Sequence, residues 1–134
     1  MSKPKVAFNW SCSCGGCEEA VVDLHEGILD VVAAIEIVFW PVAMDFKYTD
    51  IEAMADGAID VAFLNGSIRT SEQEHIAQLF RRKSKLVVAF GACAAIGGIM
   101  GLGNLHDRRS IFENSYATRP SLDNPDGVTP KTSS

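Results

Sequence analysis

The chain has 134 residues, 47% of them hydrophobic, and a formal net charge of -5. That length suits one domain, and the apolar content is enough for a packed core and too high for a disordered chain. The acidic balance argues against nucleic acid as a partner, because phosphate neutralisation needs a basic surface.

Met1 to Lys5 leads straight into an apolar run, without the charged, apolar and cleavage regions of a secretory signal. A cytoplasmic location is expected, where four cysteines serve as ligands or thiols rather than structural disulfides. Lys5 to Trp10 is the first predicted strand, with Val6, Phe8 and Trp10 alternating with Ala7 and Asn9. Ser11 to Cys17 contains small residues only, so backbone can approach a bulky ligand closely. A helix is predicted from Glu18 to about Asp30, with Val21, Leu24, Ile28 and Val32 as its apolar stripe and His25 at the stripe's edge. Glu18 and Glu19 fall in its first turn, where negative charge suits the helix dipole.

Ala34 to Trp40 reads as the second strand, ended by Pro41, which cannot donate to a ladder. Val42 to Tyr48 is irregular, and Asp50 to Ala55 is a short helix closed by Gly57. Asp60 to Leu64 is the third strand, followed by an Asn65-Gly66 turn. Ser71-Glu72-Gln73-Glu74 has capping-box spacing and predicts a helix to about Lys83, with Ile76, Leu79 and Phe80 inward. Arg81, Arg82, Lys83 and Lys85 read as a solvated helix end. Lys85 to Phe90 is the fourth strand, and it runs into Gly91-Ala92-Cys93-Ala94-Ala95-Ile96-Gly97-Gly98.

The uncharged run Leu86 to Leu105 nears membrane-span length, but its five glycines and Asn104 make it strand plus loop. No transmembrane segment is expected. Beyond Gly103 the pattern fades. Ile111, Phe112 and Tyr116 are placed to anchor a short helix, and Pro120, Pro125 and Pro130 punctuate the remainder. Thr129 to Ser134 resembles a linker.

Alternating strands and helices predict an α/β fold, a flavodoxin-like doubly wound parallel sheet. Ligands of such sheets bind at the carboxyl ends of strands, at a switch point in strand order. With strand order 2-1-3-4, the first and fourth strands stand about 10 Å apart, at ~4.8 Å per strand. Two loops can close that gap. The expected organisation is a flavodoxin-like domain over residues 1–103 and an irregular extension or linker over 104–134, toward a further C-terminal part.

Cys14-Gly15-Gly16-Cys17 at a strand-to-helix turn is either a redox dithiol or half of a metal site. Cys93, at the end of another strand, favours a shared cluster, since thiolates hold iron–sulfur centres and a [4Fe–4S] cubane usually takes four. A dithiol leaves the Cys93 loop idle, and zinc sites favour closed pairs of C-x-x-C units. Cys12, two residues before Cys14, reads as a spare thiol or as a substitute ligand with poor geometry. His25, His75 and His106 have no paired spacing and read as surface or packing residues.

Cys14-Gly15-Gly16-Cys17-Glu18-Glu19-Ala20, Leu24-His25-Glu26, Asp60 to Gly66 and Gly91 to Gly98 together resemble the small subunit of [NiFe] hydrogenases. The likeness is greatest to the cytoplasmic methyl-viologen-reducing type that works with heterodisulfide reductase. The related 20 kDa subunit of respiratory complex I shares the fold but has adjacent cysteines in its first loop. The resemblance implies a flavodoxin-like domain that holds the proximal [4Fe–4S] cluster on Cys14, Cys17 and Cys93. It implies a large subunit that carries the nickel–iron site, an iron–sulfur adaptor subunit and heterodisulfide reductase as partners, and no bond-breaking residue in this chain. The family's fourth ligand lies in a later Gly-Cys-Pro segment, which this chain lacks, so the functional protein is expected to continue past Ser134. The alternatives are an electron-transfer or docking module of another multi-subunit oxidoreductase, complex I-like, or a non-catalytic binding module.

Overall fold

Val6, Ala7, Phe8 and Asn9 are all buried, so strand β1 (Lys5–Trp10) has no solvent-facing side along most of its length. A strand covered on both faces belongs inside a parallel sheet. In the computed structural model, which describes residues 2–130, β1 pairs in parallel with β2 (Glu36–Phe39) on one side and β3 (Ile59–Asn65) on the other. Strand β4 (Ser84–Phe90) pairs in parallel with β3, completing the expected order β2-β1-β3-β4. The end of the linker-like stretch, residues 131–134, lies outside the described residues.

Helices cover both faces. Ile51 from α3 (Tyr48–Ala53) and Ile76, Leu79 and Phe80 from α4 (Ser71–Lys83) pack on Ala7, Phe39, Ile59 and Ala62. On the other face Val21 from α1 (Gly16–Val22) and Ile28 from α2 (Gly27–Ala34) pack against Val6, Phe8 and Trp40, with Phe63 and Phe90 beside them. The inward set expected for α4 is therefore correct. Its cap is one residue earlier than the capping-box reading: Thr70 accepts from Gln73 N at 3.2 Å, and Gln73 Oε1 reaches back to Thr70 N.

Four expectations need correction. The single helix from Glu18 to Asp30 is two, broken at His25, whose φ of 51° is left-handed and cannot continue a helix. Only Val21 and Ile28 of the predicted stripe pack inward, while Leu24 and Val32 are exposed. Lys83 is not solvated: it is buried and donates to Met54 O at 2.6 Å and to Asp56 at 3.0 Å. Cys93 does not sit in an open loop but in the first turn of a short helix, α5 (Ala92–Ile96). A 3₁₀ segment, Met100–Leu105, follows, and α6 (Arg108–Tyr116) carries Ile111, Phe112 and Tyr116.

At the amino edge of the sheet Asp60 ties β3 to both neighbours. Its carboxylate accepts from Lys85 Nζ at 2.7 Å and from Lys5 N at 2.7 Å. The Lys85 bond, then the Lys5 backbone bond, holds this carboxyl below the usual range. An acid depressed in the folded state stabilises the fold above its unfolded pKa of about 3.9 and loses that contribution as pH falls through the lower folded value. Asp60→Asn should therefore lower the urea midpoint at pH 7, and the gap to wild type should narrow as the pH falls below about 3.9. A gap that stays constant over that range would contradict this role.

Candidate metal centre

Trp10, Asn65 and Phe90 stand in register across β1, β3 and β4. The loops that follow these three strands therefore leave the sheet at one level, on its carboxyl edge. Both cysteine segments are among them.

The loop after β1 is held first by backbone. Ser11 N donates to Asn65 O at 2.7 Å, and Cys12 and Ser67 exchange bonds of 3.1 and 2.9 Å. Gly66, at φ +96°, makes this approach feasible: a Cβ there would lie 2.8 Å from Cys12 N. The Cys12 sulfur lies 3.9 Å from Arg69 Nη1, so this thiol is engaged with the β3–α4 connection. The chain then turns at Gly15, φ +83°, beneath the Trp10 ring, with a built Cβ 2.9 Å from the indole. Trp10 shares the strand alternation of Val6 and Phe8 but not their burial. It is 46% exposed and covers the turn, its Nε1 donating to Ser13 O at 3.3 Å.

Helix α1 starts at Gly16 and places Cys17 in its first turn. A Cβ built at Gly91 would lie 2.2 Å from Cys17 Sγ. The Cys17 sulfur thus rests on the backbone that leads into Cys93. Gly98 plays the same part for the Cys93 sulfur, with a built Cβ at 2.8 Å. Ser67 Oγ lies 2.8 Å from Cys93 O and 3.2 Å from Gly97 O, so the β3 loop braces the Cys93 segment as it braces Cys12. Cys14 lies outward on the same loop as Cys17 and is exposed; Cys17 and Cys93 are half-buried. All four cysteines are free thiols. Among the described residues, no group of three or more His, Cys, Asp or Glu side chains is arranged to hold a metal ion. Two clefts lie along α6, and neither is lined by a cysteine.

Sequence reasoning missed Glu18 as more than a dipole partner. It is only 1% exposed, and its Oε2 accepts from Trp40 Nε1 at 2.8 Å. Its Oε1 and the Asn65 side-chain amide, also buried, have no hydrogen-bond partner among the described residues. Burial pushes the Glu18 carboxyl up; the Trp40 bond and the nearby Asn65 amide work in the other direction. Tyr48 donates to Asn9 Oδ1 at 3.0 Å, and burial, with the charges of Glu72 and Glu18, pushes its phenol up. The signal for Glu18 was a buried-type tryptophan at a strand end, which seeks an acceptor. Pairing it with a residue 22 positions away needs the fold.

Residues 14–128 match the family described as NADH ubiquinone oxidoreductase, 20 Kd subunit. The chain belongs to this family. Within it, similarity extends to hydrogenase subunits. An iron-sulfur subunit of the F420-non-reducing hydrogenase of Archaeoglobus profundus is 48% identical over 128 residues, which are 95% of this chain and 40% of that protein. A subunit of the F420-non-reducing hydrogenase of Methanothermobacter thermautotrophicus is 37% identical over 128 residues, 96% of this chain and 40% of that protein. The delta subunit of the NAD-reducing hydrogenase HoxS of Cupriavidus necator is 24% identical over 114 residues, 85% of this chain and 51% of that protein. This member of the 20 Kd subunit family thus spans about 40% of the length of the first two relatives. A chain in the crystal structure of an NAD+-reducing [NiFe]-hydrogenase in the H2-reduced state shares the fold, with a TM-score of 0.80 and 23% identity. That match covers 96% of this chain and 67% of the other.

Proposed function

We propose that this chain is the electron-relay part of a [NiFe] hydrogenase small subunit and holds a [4Fe–4S] cluster with Cys14, Cys17 and Cys93. The single observation that carries the reading is the seat of Cys17 Sγ on Gly91, which draws the C-x-x-C loop against the segment of Cys93. The donor set fits such a group, since soft thiolates favour iron–sulfur clusters. The glycines fit it too: Cβ atoms at Gly91 and Gly98 would fill the space beside two of the three sulfurs. Held by Cys14, Cys17 and Cys93, such a group would supply one-electron transfer for electrons that originate at a partner's nickel–iron site.

This chain's own residues supply ligation, position and cover. Gly15 lets the loop turn tightly under Trp10, which shields the turn from one side. No bond-breaking role is assigned to any residue here. Ile96, Ile99, Leu102 and Leu105 follow Cys93 with most of their surface exposed. An apolar stretch of this kind supports a large subunit docking over the cysteine edge. A fourth ligand from a later part of the protein completes the proposal. Among the described residues no helix is long and apolar enough to cross a membrane. A cytoplasmic site, with an adaptor subunit and heterodisulfide reductase as onward partners, extends this reading.

A second reading, electron transfer in a complex I-like assembly, draws on the family's description. The hydrogenase relatives and the C-x-x-C spacing favour the first. The test is the full-length protein purified anaerobically with its large subunit. Four irons and four labile sulfides in this domain, with a paramagnetic signal on reduction, support the reading. A colourless or flavin-yellow domain without iron would sink it.

A further inference from the structure

Among the described residues, the C-x-x-C loop is fixed by backbone bonds to the β3 loop only as far as Cys12. From Ser13 onward its polar contacts are internal: Trp10 Nε1 to Ser13 O at 3.3 Å and Gly15 N to Ser13 Oγ at 3.2 Å. Among the described residues, the hydrogen bond that ties helix α1 to another element runs from Trp40 Nε1 to Glu18 Oε2, 2.8 Å long. Glu18 directly follows Cys17 in that helix's first turn.

Trp40 is well placed to act as a fixed point. It is 2% exposed and lies just past the end of β2. Pro41 follows it and restricts its backbone to extended conformations. Its ring packs on Phe8 at 4.7 Å between centroids, and Phe8 stacks on Phe63 at 5.0 Å. The indole therefore belongs to the rigid aromatic layer on the sheet, while the loop it reaches is short of anchors. A buried indole N–H also needs its acceptor, so the contact is held from both sides.

We propose that Trp40 is a positioning residue for Cys17. Its N–H fixes the Glu18 side chain, and with it the first turn of α1, so that the Cys17 sulfur is held against Gly91. This inference rests on the reading of Cys17 as a cluster ligand. A ligand sulfur displaced by a loose first turn changes the geometry and hydrogen bonding around its iron, and both tune the spectrum and potential of a cluster.

The test uses the full-length protein in complex with its large subunit and compares Glu18→Gln with Glu18→Met. Both side chains are uncharged and of similar length, but only glutamine offers Trp40 an oxygen. Glu18→Gln should keep the wild-type g-values of the reduced protein. Glu18→Met and Trp40→Phe should shift the g-values in common, and both should move the midpoint potential away from that of Glu18→Gln. Leu79→Ala, a cavity on the opposite face of the sheet, is the control for stability alone. It should lower the melting temperature and leave the spectrum untouched. Should Trp40→Phe fail to fold, the glutamine–methionine pair still decides.

Indistinguishable glutamine and methionine variants would overturn the positioning role, as would a Leu79→Ala spectrum shifted as far as that of Glu18→Met. A wild-type protein with no cluster signal would overturn the ligand reading instead, so the two failures differ.

Discussion

Replacing Gly91 with alanine should cost about 2–6 kcal/mol of stability and strip the cysteine edge of iron. Two effects combine. At φ +86° and ψ 169° the residue occupies a region that is essentially glycine's own, worth about 1–3 kcal/mol of strain to any other side chain. The added methyl would also meet Cys17 Sγ at 2.2 Å, and relieving such an overlap costs about 1–3 kcal/mol more in a packed site. Gly57→Ala separates the two terms. Its φ is +71° with nothing within 4 Å of a built Cβ, so only backbone strain of about 1–2 kcal/mol should appear there. Urea denaturation of both variants, with iron per chain measured beside it, gives the comparison. Equal losses in the two would mean that Cys17 does not press on Gly91.

The second large effect is all-or-none. In the full-length protein, Cys14→Ser, Cys17→Ser or Cys93→Ser should lose the [4Fe–4S] signal or convert it to a cluster of lower iron content, because an alkoxide is a harder and weaker ligand than a thiolate. Cys12→Ser should leave it intact. The Cys12 backbone is bridged to Ser67 and its sulfur faces Arg69, on the β3–α4 connection. Electron paramagnetic resonance after reduction, with iron counted per chain, reads the outcome. A lost signal on Cys12→Ser would make Cys12 the fourth ligand and remove the need for one from a later segment.

Tyr48 and Lys83 show how far local pattern reaches. A basic run at a helix end is ordinarily solvated, and Arg81 and Arg82 are indeed exposed. Lys83 is turned under α3 because Met54 O offers an acceptor and Asp56 a charge. Neither partner is visible from the helix's own sequence. Tyr48 likewise reads as part of an irregular stretch, but it opens α3 and donates to Asn9 across the sheet edge.

What the sequence determined by itself is the frame. Apolar runs at Lys5–Trp10, Ala34–Trp40, Asp60–Leu64 and Lys85–Phe90, separated by helical periods, favour parallel strands, and right-handed crossovers then leave few orders open. That frame puts both cysteine segments on the carboxyl edge, because each cysteine follows a strand end. The tertiary structure alone decided the contacts across that edge. His25 breaks the first helix through a left-handed φ that hydrophobic spacing does not encode. Cys93 joins a helix rather than a loop. Glu18, read only as a charge that suits a helix start, is buried because Trp40 comes over from β2 with a hydrogen-bond donor. Periodicity reports which face of an element is apolar, a property of neighbours in the chain. The partner of a buried polar group is a property of neighbours in space, and only the packed sheet supplies those.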